Sequence, residues 1–162
     1  MDRLGVSGSH GTELTSWGFM ANALALLATQ LVILPRLNTA PRSLIIWGAT
    51  FLAMGVALQL FAPNLEALLV SQALQGLGGG LARSGFTGGA SVAVEPHEQG
   101  AAAGLVVAVN GSGFVFSPVL GGVAYEHLGM DAPLVIAIAL LIAMFSFALV
   151  SRRLRNVMVA AT

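Results

Sequence analysis

Charged residues divide the chain into five long intervals. Arg83 is the only charged residue inside any of these intervals. A helix needs about 20 apolar residues to cross the hydrocarbon core of a bilayer. Every interval has at least 20 residues, so each can cross once; they cover residues 14–35, 43–65, 67–94, 99–125 and 132–151. The pattern predicts an all-α integral membrane protein with five transmembrane helices.

The turn residues between the intervals refine these bounds. Five of the six prolines lie at the connections, which are short, as in compact helical bundles. We expect approximate spans at residues 14–35, 43–62, 65–93, 97–125 and 132–151. The domain organisation is then an outer-side segment of residues 1–13, a transmembrane domain of residues 14–155 and a cytoplasmic tail of residues 152–162.

The arginines predict the orientation, because positively charged loops favour the cytoplasmic side of a membrane. With five spans, the first connection and the C-terminal tail lie on the same side. Five of the seven arginines fall there: Arg36, Arg42, Arg152, Arg153 and Arg155. Only Arg3 falls on the other side. We therefore expect a multi-pass protein of the cell (inner) membrane with a cytoplasmic C-terminus and an outside N-terminus.

Composition excludes several chemistries. Hydrophobic residues make up 56% of the chain, and the mean hydropathy is +0.86. Without Cys there is no disulfide, thiolate zinc site or cysteine nucleophile, and without Lys there is no Walker A loop or Schiff base. Zero net charge and no basic stripe argue against a nucleic-acid partner. No nucleophile and base pair lies within the spans, so we predict no enzyme activity, no catalytic residue and no cofactor.

Glu95, His97 and Glu98 stand close together before the fourth span. Acidic residues at a helix N-terminus meet the positive end of the helix dipole, and Pro96 there costs no hydrogen bond. A metal site built from the three residues is the alternative. The structural role is the simpler interpretation, and we predict no metal.

The third span is dense in glycine, from Gly76 to Gly80. Glycines weaken a helix in water, but the spacing Gly76-x-x-x-Gly80 allows helices to approach closely in lipid. A dinucleotide-binding loop is the rival interpretation. It fails because Leu81 occupies a position where that motif needs glycine, and no strand precedes it. The pattern therefore favours helix packing.

Arg83 is an intramembrane charge, and such charges are candidates for function by default. Counted from Glu66, it lies about 25 Å along the helix, near the inner boundary. Its side chain could therefore extend to the lipid headgroups or make a structural contact. A role as a gate or in substrate binding is the alternative.

The fourth span carries a spaced series of small residues around a proline: Gly104, Gly113, Ser117, Pro118, Gly121 and Gly122. A proline inside a span removes a backbone donor and bends the helix, and small residues let a neighbour approach the bend. The series predicts either a packed, kinked helix or a point at which the helix flexes.

These motifs resemble the C-terminal half of a major facilitator superfamily transporter, particularly the drug:proton antiporter branch. The series from Gly104 to Gly122 is similar to that family's G-x8-G-x3-G-P-x2-G-G motif, with Ser117 in one glycine position. The stretch from Gln72 to Gly76 is similar to its R-x-x-Q-G motif, with Gln72 in place of arginine. The first connection, 35–42, lacks the Gly and Asp of the family's loop motif.

The resemblance covers about residues 4–155 and implies that the spans are helices 8 to 12 of a partial major facilitator superfamily fold. The implied partners are the lipid bilayer, a small-molecule substrate and the missing N-terminal half. Alternating access needs two repeats, so we expect that the chain does not transport alone. No Asp or Glu lies inside a span, so an acidic proton carrier would have to come from the missing half.

The resemblance also implies which residues face the substrate. The candidates are polar or aromatic residues of three spans: Asn22, Thr29, Gln72, Gln75, Asn110 and Phe114. Such a lining suits efflux of a small lipophilic or drug-like compound. For each residue the alternative is an interhelical hydrogen bond or core packing. For the chain as a whole, the alternative is a small stand-alone membrane protein that acts through assembly with partners.

Overall fold

The computed structural model describes residues 9–37 and 39–150 of the chain. Five long α-helices occupy this part, in the order of the five predicted spans: α1 Ser9–Ala28, α2 Pro41–Phe61, α3 Leu65–Val92, α4 Gln99–Leu128 and α5 Ala132–Val150. No strand occurs among the described residues, and the predicted all-α fold class is confirmed. Arg3 and the arginines of the C-terminal tail, on which the predicted orientation partly depends, lie outside the described residues.

Local sequence explains where the helices begin and end. Pro41 opens α2, where its missing N–H costs nothing. Asn64 caps α3, because its side-chain oxygen accepts a hydrogen bond from the Ala67 N–H at 2.9 Å. Gly129, which has φ +98°, ends α4 with a backbone conformation that favours glycine.

The first helix changes character at its C-terminal end. It continues as a π-helical turn at Thr29–Ile33 and a 3₁₀ turn at Leu34–Arg36. The Thr29 hydroxyl donates to the Ala25 carbonyl at 2.8 Å, so this buried side chain needs no other partner. Arg36 Nη1 donates to the Val32 carbonyl at 2.7 Å. The two turns carry the chain into the short connection before α2.

Helix α3 is the centre of the bundle, because it packs against α1 on one side and α2 on the other. Its contact with α2 is very close: a Cβ built on Gly48 would lie 2.5 Å from the Ala82 nitrogen. Helix α5 packs on α2, where Arg42 Nη2 donates to the Leu149 carbonyl at 3.3 Å. Glycines thus let α3 approach both α1 and α2 backbone to backbone. This packing mode is suited to lipid.

Helix α4 is only loosely attached to the rest of the described bundle. It makes limited contacts with α3 and α5, and Ala124 is the only residue buried along it. Its large apolar side chains point outward, including Val107, Phe114 and Phe116. An apolar helix with so little covering suits contact with lipid or with further protein.

Three stretches of the described chain are long and apolar enough to cross a membrane: Glu13–Arg36, Pro41–Phe61 and Gln99–Leu128. The apolar run of α5, Ala132–Phe147, is shorter. Helix α3 has 28 residues, which is long enough, but its glycines, glutamines and Arg83 make it less apolar than its neighbours. The two glutamines and most of the glycines of α3 lie against α1 or α2, whereas Arg83 is exposed.

Candidate functional site

An open cleft of about 330 Å³ lies between α3 and α4. Six residues line it: Arg83 of α3, and Asn110, Gly113, Phe114, Ser117 and Pro118 of α4. All six are positions that the sequence marked as candidates, although it assigned them to three separate groups. The structure brings these three groups together in one place.

The cleft lies near the middle of both helices. Arg83 is about 7 Å along the axis from the midpoint of α3, which runs from Leu65 to Val92. The α4 residues of the cleft, 110–118, all lie within about 7 Å of the midpoint of that helix. The cleft thus lies in the central part of both helices.

Arg83 is the only charged residue that lines the cleft. Its side chain is exposed, and among the described residues the guanidinium has neither a hydrogen-bond partner nor an ion-pair partner. The backbone carbonyl of Arg83 accepts a hydrogen bond from the Thr87 hydroxyl at 3.0 Å. The helix thus holds the residue in place and leaves its five side-chain donors available.

Asn110 and Ser117 add polar groups to the same cleft. Within the described part of the chain, neither the Asn110 amide nor the Ser117 hydroxyl has a hydrogen-bond partner. The nearby Ser112 differs, because its hydroxyl donates to the Val109 carbonyl at 2.7 Å. The Phe114 ring, 73% exposed, supplies an apolar wall. The cleft therefore offers hydrogen-bond donors next to an aromatic surface, and no pair of groups suited to acid–base catalysis.

The other four predicted cavity residues lie at helix contacts. Asn22 Nδ2 donates to the Gln72 carbonyl at 3.1 Å, which joins α1 to α3. Gln75 Nε2 donates to Gln59 Oε1 at 2.7 Å, which joins α3 to α2. The Thr29 side chain is fully buried, and none of these residues lines the cleft.

Sequence reasoning missed Gln59. The signal was present, because an amide within an apolar span needs a partner. Gln59 lies near the end of α2, and Gln75 lies within the first half of α3, so a short turn brings the two helices side by side. The contact shows that Gln75 links two helices.

The glycines of the two motifs have different surroundings. Gly76 lies against the Asn22 carbonyl and Gly80 against the Thr29 side chain, so both face α1. The motif glycines of α4 have open space where a side chain would project: Gly104, Gly113, Gly121 and Gly122 have nothing within 4 Å of a built Cβ. The α4 series is thus free of close neighbours in the described structure.

The acidic cluster before α4 lies at the surface. His97 Nδ1 is 3.5 Å from Glu95 Oε2, and both side chains are largely exposed. No group of three His, Cys, Asp or Glu residues in the described part of the chain could hold a metal ion. The position of Glu98 just before the first residue of α4 fits a role at the helix end.

Comparison with known proteins identifies the family. Residues 3–158 match the family model of the Major Facilitator Superfamily. A curated relative, the MFS-type transporter ppzB of Metarhizium rileyi (strain RCEF 4871), is 33% identical over 100 residues, which are 62% of this chain and 21% of the relative. The protein of the same name in Metarhizium majus (strain ARSEF 297) is 31% identical over 100 residues, with 62% and 22% covered. No solved structure matches significantly.

The chain matches about a fifth of the length of these curated relatives. The family model, in contrast, covers nearly the whole chain, including all five described helices. Membrane transport is the function of this family, and its members are generally carriers rather than enzymes. The chain is a multi-pass membrane protein that belongs to the Major Facilitator Superfamily.

Proposed function

We propose that the chain forms helices 8 to 12 of a drug:proton antiporter-like carrier that exports a small lipophilic or drug-like compound. The cleft between α3 and α4 is the part of the substrate path that this chain contributes. The observation that carries the proposal is the meeting of Arg83 with polar and aromatic α4 residues near the middle of both helices. Substrate sites of secondary transporters lie near the bilayer midplane.

Helix α4 is largely exposed, which supports the proposal that a second protein surface packs next to the cleft. The motif glycines of α4 are free of close neighbours, and the apolar side chains around them are exposed. Alternating access needs two repeats that move against each other. We assign the N-terminal half of the transporter to the exposed face of α4 that carries Gly104 and Gly122, which allow close approach. The chain is then a partial or truncated form of the carrier.

The test compares transport by two preparations. One is this chain alone in membrane vesicles, and the other is the chain produced together with the coding sequence upstream of Met1, where that sequence supplies the first half. We expect saturable, energy-dependent export of a lipophilic dye in the second preparation and none in the first. Saturable transport by the isolated chain would instead favour a self-assembling small transporter. Absence of transport from both would contradict the function.

The orientation is part of the proposal: the connection before α2 faces the cytoplasm, and those after α2 and α4 face outside. The chain has no Cys, so single cysteines report on each side without further changes. Asn64→Cys and Leu128→Cys should react with an impermeant maleimide from outside. Thr39→Cys should react only after the membrane is opened. The reverse pattern would contradict both the orientation and the numbering of the helices.

A further inference from the structure

The charge of the cleft narrows the kind of substrate that it can hold. Arg83 lines it, and no Asp or Glu is among its lining residues. A guanidinium is charged throughout the physiological pH range. Leaving a charge unpaired within the hydrocarbon core is costly, so such a charge is normally paired with a counter-charge or with water. The described residues supply no counter-charge, so in this chain by itself the guanidinium is available to a ligand.

The other described arginines of the helical region differ from Arg83. Arg36 donates to the Val32 carbonyl, and Arg42 donates to the Leu149 carbonyl. Both lie at helix ends, and the ends of a membrane-spanning helix are where an arginine reaches water and lipid headgroups. Arg83 lies within α3, about 7 Å from the helix midpoint, and faces the middle of α4. Extension to the headgroups would take its guanidinium out of this cleft.

The remaining cleft groups fit an anion with an apolar body. A guanidinium presents parallel N–H donors that match the two oxygens of a carboxylate. The Asn110 amide and the Ser117 hydroxyl can donate to the same group. The Phe114 ring and Pro118 offer apolar surface beside these donors. A volume of about 330 Å³ lies at the small end of ligand pockets.

We propose that the cleft between α3 and α4 binds the carboxylate of a small amphipathic organic anion, with Arg83 as its counter-charge and Phe114 against its apolar body. This inference rests on the proposed function, because it names the substrate class of the same cleft. It makes the exported compound an aromatic or aliphatic monocarboxylate rather than a neutral or cationic molecule. The phosphate of an anionic lipid shares the anionic chemistry and is a separate source to be distinguished.

The experiment measures binding rather than transport, so it does not depend on the second half of the carrier. The full chain in phosphatidylcholine nanodiscs is dialysed to equilibrium against 2-naphthoate or its neutral isostere 2-naphthamide, with empty nanodiscs as background. We expect naphthoate to bind at least about tenfold more tightly than naphthamide, as befits a charge-assisted pair. Arg83→Gln should abolish that preference, and Arg83→Lys should retain part of it.

Arg36→Gln is the matched control, because it removes the same charge from the chain at a helix end outside the cleft. It should leave the preference for naphthoate unchanged. Equal binding of the two probes, or a preference that survives Arg83→Gln, would overturn the inference. Loss of naphthoate binding when phosphatidylglycerol is added would also overturn it, provided that the loss persists at about 1 M salt, which screens the repulsion between naphthoate and the anionic surface; a lipid phosphate would then occupy the site.

The inference and the proposed function fail in different ways. If the complete carrier exports a neutral dye but its cleft shows no preference for naphthoate, the function stands and the substrate class is wrong. If the cleft binds naphthoate through Arg83 but no preparation transports any compound, the site stands and the transport function is wrong.

Discussion

Substitution of Gly78 by alanine tests the close contact between α2 and α3. A Cβ at Gly78 would lie 2.6 Å from the Leu52 nitrogen and 2.7 Å from the Gly48 carbonyl oxygen. Both are backbone atoms, so no side-chain rotation relieves the overlap. Ordinary contact begins at 3.4 Å, and the two helices must therefore separate locally by about 0.8 Å.

The expected cost follows from this displacement. Overpacking of a close interface costs about 1–3 kcal/mol, and the better helix propensity of alanine offsets at most about 1 kcal/mol of it. Gly78→Ala should therefore lower the free energy of unfolding by about 1–2 kcal/mol. Gly79→Ala is the matched control, because a Cβ there meets nothing within 4 Å. It should be neutral or slightly stabilising.

The assay is thermal unfolding of the purified chain in one detergent, followed by circular dichroism, for the wild type and both variants. We expect Gly78→Ala to melt below the wild type and Gly79→Ala to melt at or above it. Similar shifts in the two variants would refute the reasoning, because adjacent glycines of one helix would then not differ in their neighbours. A larger loss for Gly79→Ala would contradict the packing of α3 itself.

Three further predictions concern single helices and contacts. Asn64→Ala removes the cap of α3 and should lower stability by about 1 kcal/mol, measured as a lower melting temperature. A smaller loss is expected from the exposed neighbour Glu66→Gln, which removes only a favourable charge from the first turn of the same helix. Gln75→Leu leaves the Gln59 amide without its partner and should cost about 1 kcal/mol, and the double change with Gln59→Leu should recover part of the loss in the same assay. Gly113→Leu in the complete carrier should slow transport per inserted molecule while leaving insertion and equilibrium substrate binding intact if α4 flexes at Pro118. Loss of substrate binding would instead show that the leucine fills the cleft that Gly113 lines. Reduced insertion with normal transport per molecule would contradict the flexing role.

The order of the helices could be predicted from charge alone, because each uncharged interval is long enough to span a bilayer. The helix ends could not be placed as well. Glu13 and Glu126 end uncharged intervals, yet both lie inside helices, α1 and α4. A charge ends the apolar stretch but not the backbone hydrogen bonding, so a helix can continue into the headgroup region. The π-helical turn at Thr29–Ile33 has no counterpart in the pattern of charged and uncharged residues.

Glycine spacing predicted close packing but not the partners. Gly76 and Gly80 face α1, Gly78 faces α2, and Gly79 between them faces open space. Spacing of three or four residues identifies a common face of one helix. It carries no information on which neighbour covers that face, since this depends on how the whole bundle assembles.

Individual residues of the cleft could be predicted, but their proximity to one another could not. Arg83 and Asn110 were each candidates, but they lie 27 residues apart on different helices. Their meeting depends on the packing of α4 beside α3. Gln75 shows the opposite outcome: its polar character suggested a cavity residue, whereas the structure gives it a partner in Gln59. Residue type alone does not distinguish these two environments.

The central claim is that the cleft side of α4 faces an aqueous substrate path. Single cysteines at Ser117 and Val119 test it directly, because the two positions are about 160° apart around the helix, and Val119 is absent from the cleft lining. In native membranes we expect a water-soluble methanethiosulfonate reagent to modify Ser117→Cys readily and Val119→Cys very slowly. Equal modification of both, or faster modification at Val119→Cys, would contradict the account.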